Sequence, residues 1–219
     1  MSNTGKVYFI PVLHQLHKSN PAYNYDTLKN VIDRLSPDII LTEIRPEDMD
    51  MDSSYLAANY PYEMHVVSKW FPFVRVEGFD WLGRDLEGRP VPGNYWKDLS
   101  EIKRLQRLLA ADTVFKERST HCYTNTSKRD SVLKYGSLEQ ILDPAMGKIV
   151  EDQYECFEKI SRGTPYQLLA EFYRERNDSI LARINRIVLR NPGKRIVIIT
   201  GDDHYQLLRE RLRHDPIFE

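Results

Sequence analysis

Four short apolar segments along the chain have the pattern of β-strands. Three are almost continuously apolar and rich in β-branched residues, which is typical of strands buried on both faces of a parallel sheet, and the fourth alternates between apolar and polar positions. The segments cover residues 7–12, 38–42, 74–79 and 195–200. A helical pattern joins the first two into a β-α-β unit, whose strands run parallel with a right-handed crossover. We therefore predict one mainly parallel sheet.

Apolar residues at helical spacing predict the helices between these strands. After the first strand, Asp26 is placed to cap a helix whose apolar residues recur from Leu28 to Leu35, and Ser36-Pro37 ends it. A capping threonine followed by proline, Thr164-Pro165, predicts the start of a long helix that runs to about Arg190. Further helical patterns cover residues 49–71 (broken at Pro61), 96–109, 137–142, 145–160 and 205–212.

The length of 219 residues suits one α/β domain that spans residues 1–219. We expect a three-layer fold, with a mainly parallel sheet and helices on both faces. Residues of about 85–160 are read as a mostly helical insertion between strands of that sheet, because no linker-like stretch sets them off. Within this insertion the polar segment 119–130 is expected to be a mobile loop or a lid.

Charge and composition exclude some classes of partner. The 31 basic and 32 acidic residues give a net charge of -1, which provides no electrostatic argument for binding nucleic acid or an anionic membrane. No apolar stretch approaches the length of a membrane span, and the N-terminus lacks the pattern of a signal peptide. Cys122 and Cys156 form no metal-binding motif, so we expect reduced thiols in a cytoplasmic protein, with a disulfide as the less favoured alternative. The sequence does not predict the oligomeric state.

Chemically active side chains follow three of the predicted strands. His14 and His17 come after the first strand, Glu43 after the second, and Asp202-Asp203-His204 after the last. The carboxyl ends of parallel strands share one edge of a sheet, so these residues are expected to lie around one cleft. They support two chemistries: a divalent cation that activates water, or a histidine that acts directly as general base. A capping role for the two aspartates at the next helix is the simpler alternative.

The long helix before the last strand carries an anomaly. Arg176 and Asn177 lie on the stripe of apolar residues that should face the core. Burying an unpaired guanidinium or amide is costly, so each needs a partner there. Two interpretations stay open: Arg176 snorkels or pairs with a structural carboxylate such as Glu43, or this turn of the helix faces a polar pocket. We expect Arg176 to be largely buried and to reach a carboxylate, either Glu43 or Asp203.

The ordered set of motifs resembles the erythromycin esterase / ChaN / TraB–Tiki superfamily of α/β proteins. That group has a histidine after the first strand, often in GxxH, then a glutamate in a phrase like PDxxxxE. An ERN-type motif on a long helix and a second GxxH follow. Here the corresponding phrases are PVLH ending in His14, SPDIILTEIRPE with Glu43, RERNDSILARI with Arg176 and Asn177, and GDDH ending in His204. Pro11 stands where the first glycine is usual, and residues 85–160 match no motif of the group.

The resemblance implies a hydrolase that cleaves an ester, lactone or peptide bond of a small-molecule or peptide substrate. It implies His14, Glu43, Arg176 and His204 as catalytic residues. If a divalent metal such as Mn, Zn or Co is used, His14, Glu43 and His204 are its expected ligands. The alternative is an inactive member that binds a haem-like small molecule or a protein. Weaker candidates for the site are Asn177, Asp203, Asp80 and His17; His65, His121 and His214 are read as ordinary surface or core histidines.

Overall fold

The computed structural model describes residues 5–218, and its core is one sheet of four parallel strands. The strands are β1 (Val7–Val12), β2 (Ile39–Thr42), β3 (Arg75–Gly78) and β4 (Ile196–Gly201). Their order in the sheet is β1-β4-β2-β3, so the last strand of the chain is inserted between the first two. The expected α/β fold, with all four predicted segments in one parallel sheet, is confirmed.

Ten α-helices surround this sheet in the described part of the chain; three short turns that follow strands, a fourth short turn at Thr120–Tyr123 and one wide π-type turn complete the regular structure. The helices are α1 (Tyr25–Leu35), α2 (Ser53–Asn59), α3 (Tyr62–Trp70), α4 (Glu101–Ala111), α5 (Thr113–Ser119), α6 (Thr126–Tyr135), α7 (Leu138–Ile141), α8 (Pro144–Ser161), α9 (Gln167–Arg190) and α10 (Asp202–Leu208). The short turns that follow strands are His14–Lys18, Pro46–Asp48 and Arg84–Leu86, and the π-type turn is Tyr95–Leu99.

Strand residues contribute alternately to two apolar clusters, as the twofold period of a β-strand requires. The first cluster packs β1, β2 and β4 against apolar residues of α1 and α3; its strand residues are Tyr8, Ile10, Val12, Ile40, Val197 and Ile199. The second packs the intervening residues against α9 and α10; its strand residues are Phe9, Ile39, Leu41, Ile196 and Ile198. The continuous apolar runs of the sequence therefore reflect burial from both sides.

Strand β1 lies at an edge of the sheet, which explains how it accommodates Pro11 one residue before its end. An edge strand pairs on one side only, so a missing N–H can be tolerated there. The C-terminal segment covers part of this edge, since Asp215 donates its N–H to the carbonyl of Val7 and accepts from the Val7 N–H through its carboxylate. The edge is thereby protected from pairing with another chain.

Several local predictions are wrong by a few residues because caps and turns compete with the apolar pattern. Asn24, not Asp26, caps α1 by accepting from the Thr27 N–H at 3.0 Å. The helix expected at 96–109 begins at Glu101, after the π-type turn. Helix α9 begins at Gln167 rather than at the Thr-Pro pair, and α10 begins at Asp202, so the acidic pair forms its first turn.

The expected loop or lid at 119–130 is instead mostly helical. It contains the end of α5, a short turn (Thr120–Tyr123) and the start of α6. A disulfide joins Cys122 in that turn to Cys156 in α8, with the two Cα atoms 5.5 Å apart. The prediction of two reduced thiols is therefore wrong, because folding of the insertion brings together cysteines that are 34 residues apart in sequence.

Among residues 5–218, no helix combines the length and the apolar character needed to span a membrane.

Candidate active site at the carboxyl edge of the sheet

The residues that follow the four strands meet at one edge of the sheet, beside a cleft of about 520 Å³. Four polar residues that line it come from this edge and from α9: His14, Glu43, Asp80 and Arg176. The opposite wall is formed mostly by apolar and aromatic residues of the 58–61 region, the insertion and α9, with polar residues between them. The aromatic residues of this wall include Trp96, Phe172 and Tyr173, and its polar residues include Asn59, Lys103 and Gln106. The cleft thus combines a charged floor with an aromatic wall.

His14 is held in a left-handed backbone conformation, with φ of 52°, at the turn that follows β1. This conformation is strained for a residue with a Cβ, and such strain is concentrated at functional sites. The ring donates from Nδ1 to the carboxylate of Glu63 at 2.7 Å. The other nitrogen, Nε2, is therefore unprotonated in the neutral ring and lies 2.8 Å from the position that a Cβ on Gly201 would occupy. Glycine at the end of β4 is what allows this approach.

The pKa of His14 reflects two opposing influences. Burial by itself lowers it, but the hydrogen bond to Glu63 and the negative charges of Glu43 and Glu63 outweigh burial and raise the pKa above 6.5. Its side chain is 40% exposed, and it lines the cleft. The imidazole is therefore both basic and accessible, which are the properties of a general base.

Glu43 lies at the centre of the cluster and is held ionised. Its Oε2 accepts from the Thr200 hydroxyl at 2.9 Å and from the Gly201 N–H at 2.8 Å, and its Oε1 accepts from Arg176 at 2.8 Å. Burial alone raises the pKa of Glu43, but His204, Arg176, His14 and the Gly201 N–H together lower it to about 2. Glu43 is therefore a fixed negative charge rather than a proton carrier.

Arg176 resolves the anomaly of the long helix, because it reaches across to two carboxylates. Its Nε and Nη2 donate to Asp80 Oδ1 at 3.1 Å and 2.9 Å, and Nη2 also donates to Glu43. Of the two expected partners, Glu43 is confirmed. The alternative partner, Asp203, is not used, because its carboxylate accepts from Arg129 and from the Tyr154 hydroxyl. Within residues 5–218, Arg176 Nη1 donates to no protein acceptor, and the side chain is 21% exposed at the cleft.

His204 lies beside Glu43 but is not among the residues that line the cleft. It donates from Nδ1 to Asn177 Oδ1 at 2.6 Å, and its Nε2 lies 3.5 Å from Glu43 Oε1. Burial, with the positive charge of Arg176, lowers the pKa of His204 to about 4, so the ring is neutral at neutral pH. Asn177, the second polar residue on the apolar stripe of α9, therefore serves to orient this histidine.

Other predicted candidates are placed away from the cleft. His17 is fully buried, and both its ring nitrogens bond the backbone: Nε2 accepts from the Leu13 N–H at 2.9 Å and Nδ1 donates to the Tyr23 carbonyl at 2.7 Å. Asp202 and Asp203 both pair with Arg129 of α6. These two aspartates connect the insertion to the start of α10 and do not line the cleft.

Glu63 is the site residue that sequence reasoning missed. It lies in the first turn of α3, is fully buried, and its Oε2 has no hydrogen-bond partner in the described part of the chain. The signal was present, since Glu63 shares the buried side of α3 with Met64, Val66 and Val67. A charge on an apolar stripe is the same anomaly that singled out Arg176. The cleft residues of the insertion, such as Trp96, offered no comparable signal.

The arrangement does not fit a divalent cation bound by His14, Glu43 and His204. Both carboxylate oxygens of Glu43 already accept hydrogen bonds from the protein, and the guanidinium of Arg176 adds positive charge beside them. Within residues 5–218, the ligand atoms that gather within 4.8 Å of one another belong to a different group: His121, Cys122 and Cys156. The two sulfur atoms of that group are bonded to each other, so they are not available as thiolate ligands.

Comparison of the chain with protein-family models, with curated proteins and with solved structures finds no match.

Proposed function

We propose that this chain is a hydrolase of ester or lactone bonds, with peptide bonds as a further substrate class, and that His14 activates the attacking water directly. The observation that carries the proposal is the pairing of a buried carboxylate, Glu63, with His14 Nδ1 at 2.7 Å. This pairing leaves Nε2 as the basic atom of a ring that lines the cleft. A carboxylate that orients a histidine in this way is a recurring feature of general-base sites.

In the proposed reaction, a water molecule in the cleft loses a proton to His14 Nε2 as its oxygen attacks the substrate carbonyl carbon. The oxyanion that forms is stabilised by Arg176, whose Nη1 is directed to no acceptor among residues 5–218 and whose side chain lines the cleft. Glu43 and Asp80 hold the guanidinium in place before substrate arrives. His204 lies beside Glu43 and is neutral at neutral pH, given its lowered pKa of about 4, so its role in this scheme is confined to shaping the site around Glu43.

The resemblance to the erythromycin esterase / ChaN / TraB–Tiki superfamily supports the same class of reaction, since its four motifs supply His14, Glu43, Arg176 and His204. The proposal keeps the three-layer arrangement of that α/β fold. A metal route, in which a divalent cation such as Mn, Zn or Co activates the water, is the alternative version. We favour the direct route because Glu43 is saturated with protein donors and lies against Arg176.

The aromatic wall of the cleft favours one second candidate, a protein that binds a small molecule without turnover. Ligand sites are typically apolar clefts with a few polar groups, and Trp96, Phe172 and Tyr173 provide such a wall here. This candidate predicts binding of an apolar ligand at the cleft with no hydrolysis of any carbonyl compound.

A hydrolysis panel in the presence of EDTA separates these alternatives. The purified chain is incubated with alkyl and aryl esters, lactones of several ring sizes and short peptides, and product acid is measured. The proposal predicts turnover of an ester or lactone that EDTA leaves unchanged. Loss of activity in EDTA that Mn or Zn restores would establish the metal route, and ligand binding without any turnover would establish the binding protein.

A further inference from the structure

Asp80 differs from the other acidic residue of the cleft floor in having an unused carboxylate oxygen. Its Oδ1 accepts from the Trp81 N–H at 2.7 Å and from Arg176 through two donors. Its Oδ2 accepts no hydrogen bond from residues 5–218, and it is not fully shielded from solvent. Asp80 lines the cleft. Glu43, by contrast, has both oxygens occupied by protein donors.

The electrostatic surroundings separate the two carboxyl groups further. Burial raises the pKa of Asp80 to about 6, and the negative charge of Glu43 adds to the rise while Arg176 opposes it. The pKa of Glu43 is lowered to about 2. When the pKa values of neighbouring carboxyl groups are shifted in opposite directions, the group with the raised pKa is the one that carries a proton during a reaction.

We infer that Asp80 is a further catalytic residue, which donates a proton from Oδ2 to the leaving-group oxygen of the substrate. This inference rests on the proposed function. It also names a substrate class: unactivated alkyl esters and lactones, whose alkoxide is a poor leaving group until it is protonated. Activated aryl esters do not need this donor, because a phenolate leaves without protonation.

The complete step balances within the cleft. Water gives its proton to His14 Nε2 and forms the new C–O bond, and the carbonyl electrons move to the oxygen that Arg176 binds. As the carbonyl re-forms, the bond to the leaving oxygen breaks, its electron pair stays on that oxygen, and Asp80 supplies the proton. The proton held by His14 then returns to Asp80 through water, so that ester and water have become acid and alcohol.

The reaction requires His14 to be unprotonated and Asp80 to be protonated, so that the pair together holds one proton. The rate for alkyl esters is therefore expected to depend on pH as a bell-shaped curve. The charged groups that face Asp80 are Arg176 and Arg183 from α9, Glu43 from the end of β2, and His14 across the cleft; Arg183 donates to the Asp80 carbonyl. The substitution Asp80→Asn removes the group that loses its proton at alkaline pH, so it should abolish the alkaline limb of this curve.

The test compares the parent with Asp80→Asn on two esters of the same acid, one alkyl and one aryl. Asparagine retains the oxygen that accepts from Arg176 and Trp81, so that the guanidinium keeps its partner, but its amide cannot transfer a proton to the leaving group. Loss of a general acid costs about 100-fold or more. We therefore expect kcat/KM for the alkyl ester to fall by about that factor, and by at least ~10-fold more than for the aryl ester. Asp178→Asn, an exposed position on α9, is the matched control.

Equal losses on the two esters would overturn the inference, since misplacement of Arg176 would weaken oxyanion binding for both. An unchanged alkyl-ester rate would overturn it as well. The pH profile of the parent with the alkyl ester gives a second readout that requires no variant, and a missing alkaline limb would contradict the role of Asp80. The two esters share the acid of an ester that the panel shows to be hydrolysed; if the parent hydrolyses no ester or lactone of the panel, the proposed hydrolase function itself is wrong and the inference falls with it.

Discussion

Single charged residues on apolar helix stripes were the most informative signals in this sequence. Arg176 on α9 and Glu63 on α3 each occupy a position that packing alone would give to an apolar residue. Arg176 is paired with a carboxylate, and Glu63 is paired with the ring of His14. Retaining a buried charge costs desolvation energy, so its presence points to a role beyond packing. The pairing of Arg176 with Glu43 was predictable for this reason. The identity of its second partner, Asp80, depends on tertiary geometry.

Replacing Arg176 by alanine should destabilise the fold. Glu43 and Asp80 would remain buried beside each other without their shared cation, at a cost of roughly 3 kcal/mol in the free energy of unfolding. Chemical denaturation of Arg176→Ala and of the control Arg174→Ala, whose exposed side chain pairs with Glu158, measures this cost. A stability of Arg176→Ala equal to that of the control would mean that the ion pairs contribute little.

Replacing Glu63 by glutamine should move the acidic limb of the pH–rate profile for an aryl ester to lower pH, because that reaction requires only an unprotonated His14. Glu63 helps to raise the pKa of His14 above 6.5, and glutamine can still accept from Nδ1 but carries no charge. The same linkage affects stability. The raised pKa of His14 contributes stability that is fully present below 6.5 and is lost as the pH rises through the folded-state value, so Glu63→Gln should lose this contribution. The pH–rate profiles of Glu63→Gln and of the exposed control Glu117→Gln measure this effect. If the acidic limbs of the two profiles coincided, Glu63 would not raise the pKa of His14.

At the scale of elements, the strands were the most predictable part of the structure and the insertion the least. Continuous β-branched runs are constrained by burial on both faces, so strand positions were predicted to within a residue or two, and parallel pairing placed their carboxyl ends at one edge. The insertion lacks such constraint. Apart from α8, its helices have 11 residues or fewer. Its caps are Asp, Ser and Asn residues, and a disulfide holds the 120–123 turn that composition alone suggested to be mobile. The cleft wall that this insertion contributes therefore escaped prediction.

The junction of β4 and α10 depends on glycine at position 201. A Cβ there would lie 2.8 Å from His14 Nε2 and 3.6 Å from Glu43 Oε2, so Gly201→Ala should push the imidazole out of position. Misplacement of a reacting group by about 1 Å can reduce a rate by about 100-fold, and we expect a loss of that order in kcat/KM. Stability should change little, because the partly exposed ring can rotate away. Gly93→Ala is the control, since a Cβ there meets no atom within 4 Å, and equal activity of the two variants would contradict the close approach.

At the scale of the whole molecule, Arg129 and Tyr154 connect the insertion to the start of α10, and a disulfide braces the insertion internally. The disulfide between Cys122 and Cys156 joins the 120–123 turn to α8, and Arg129 of α6 pairs with both aspartates at the start of α10. Tyr154 of α8 adds a hydrogen bond to Asp203 at 3.1 Å. The insertion is thus fixed to the segment that carries His204, and it supplies part of the cleft wall.

Reduction of the disulfide should lower the stability of the whole chain. Closing a loop between residues 34 apart restricts the unfolded state by about 3–4 kcal/mol in the chain-entropy treatment. Chemical denaturation with and without dithiothreitol measures this contribution, with the double variant Cys122→Ser/Cys156→Ser as a control that should not respond to the reductant. A parent whose unfolding is indifferent to dithiothreitol would mean that the bond is absent or makes no contribution.

The central claim is that His14 activates water directly, and the rate of His14→Gln at saturating EDTA tests it most directly. With an ester or lactone that the parent hydrolyses, loss of the general base should reduce kcat by about 100-fold to 10,000-fold. His65→Gln, a partly buried histidine on α3 that does not line the cleft, should keep the parent rate. A His14→Gln variant that retains the parent rate in EDTA would contradict the account.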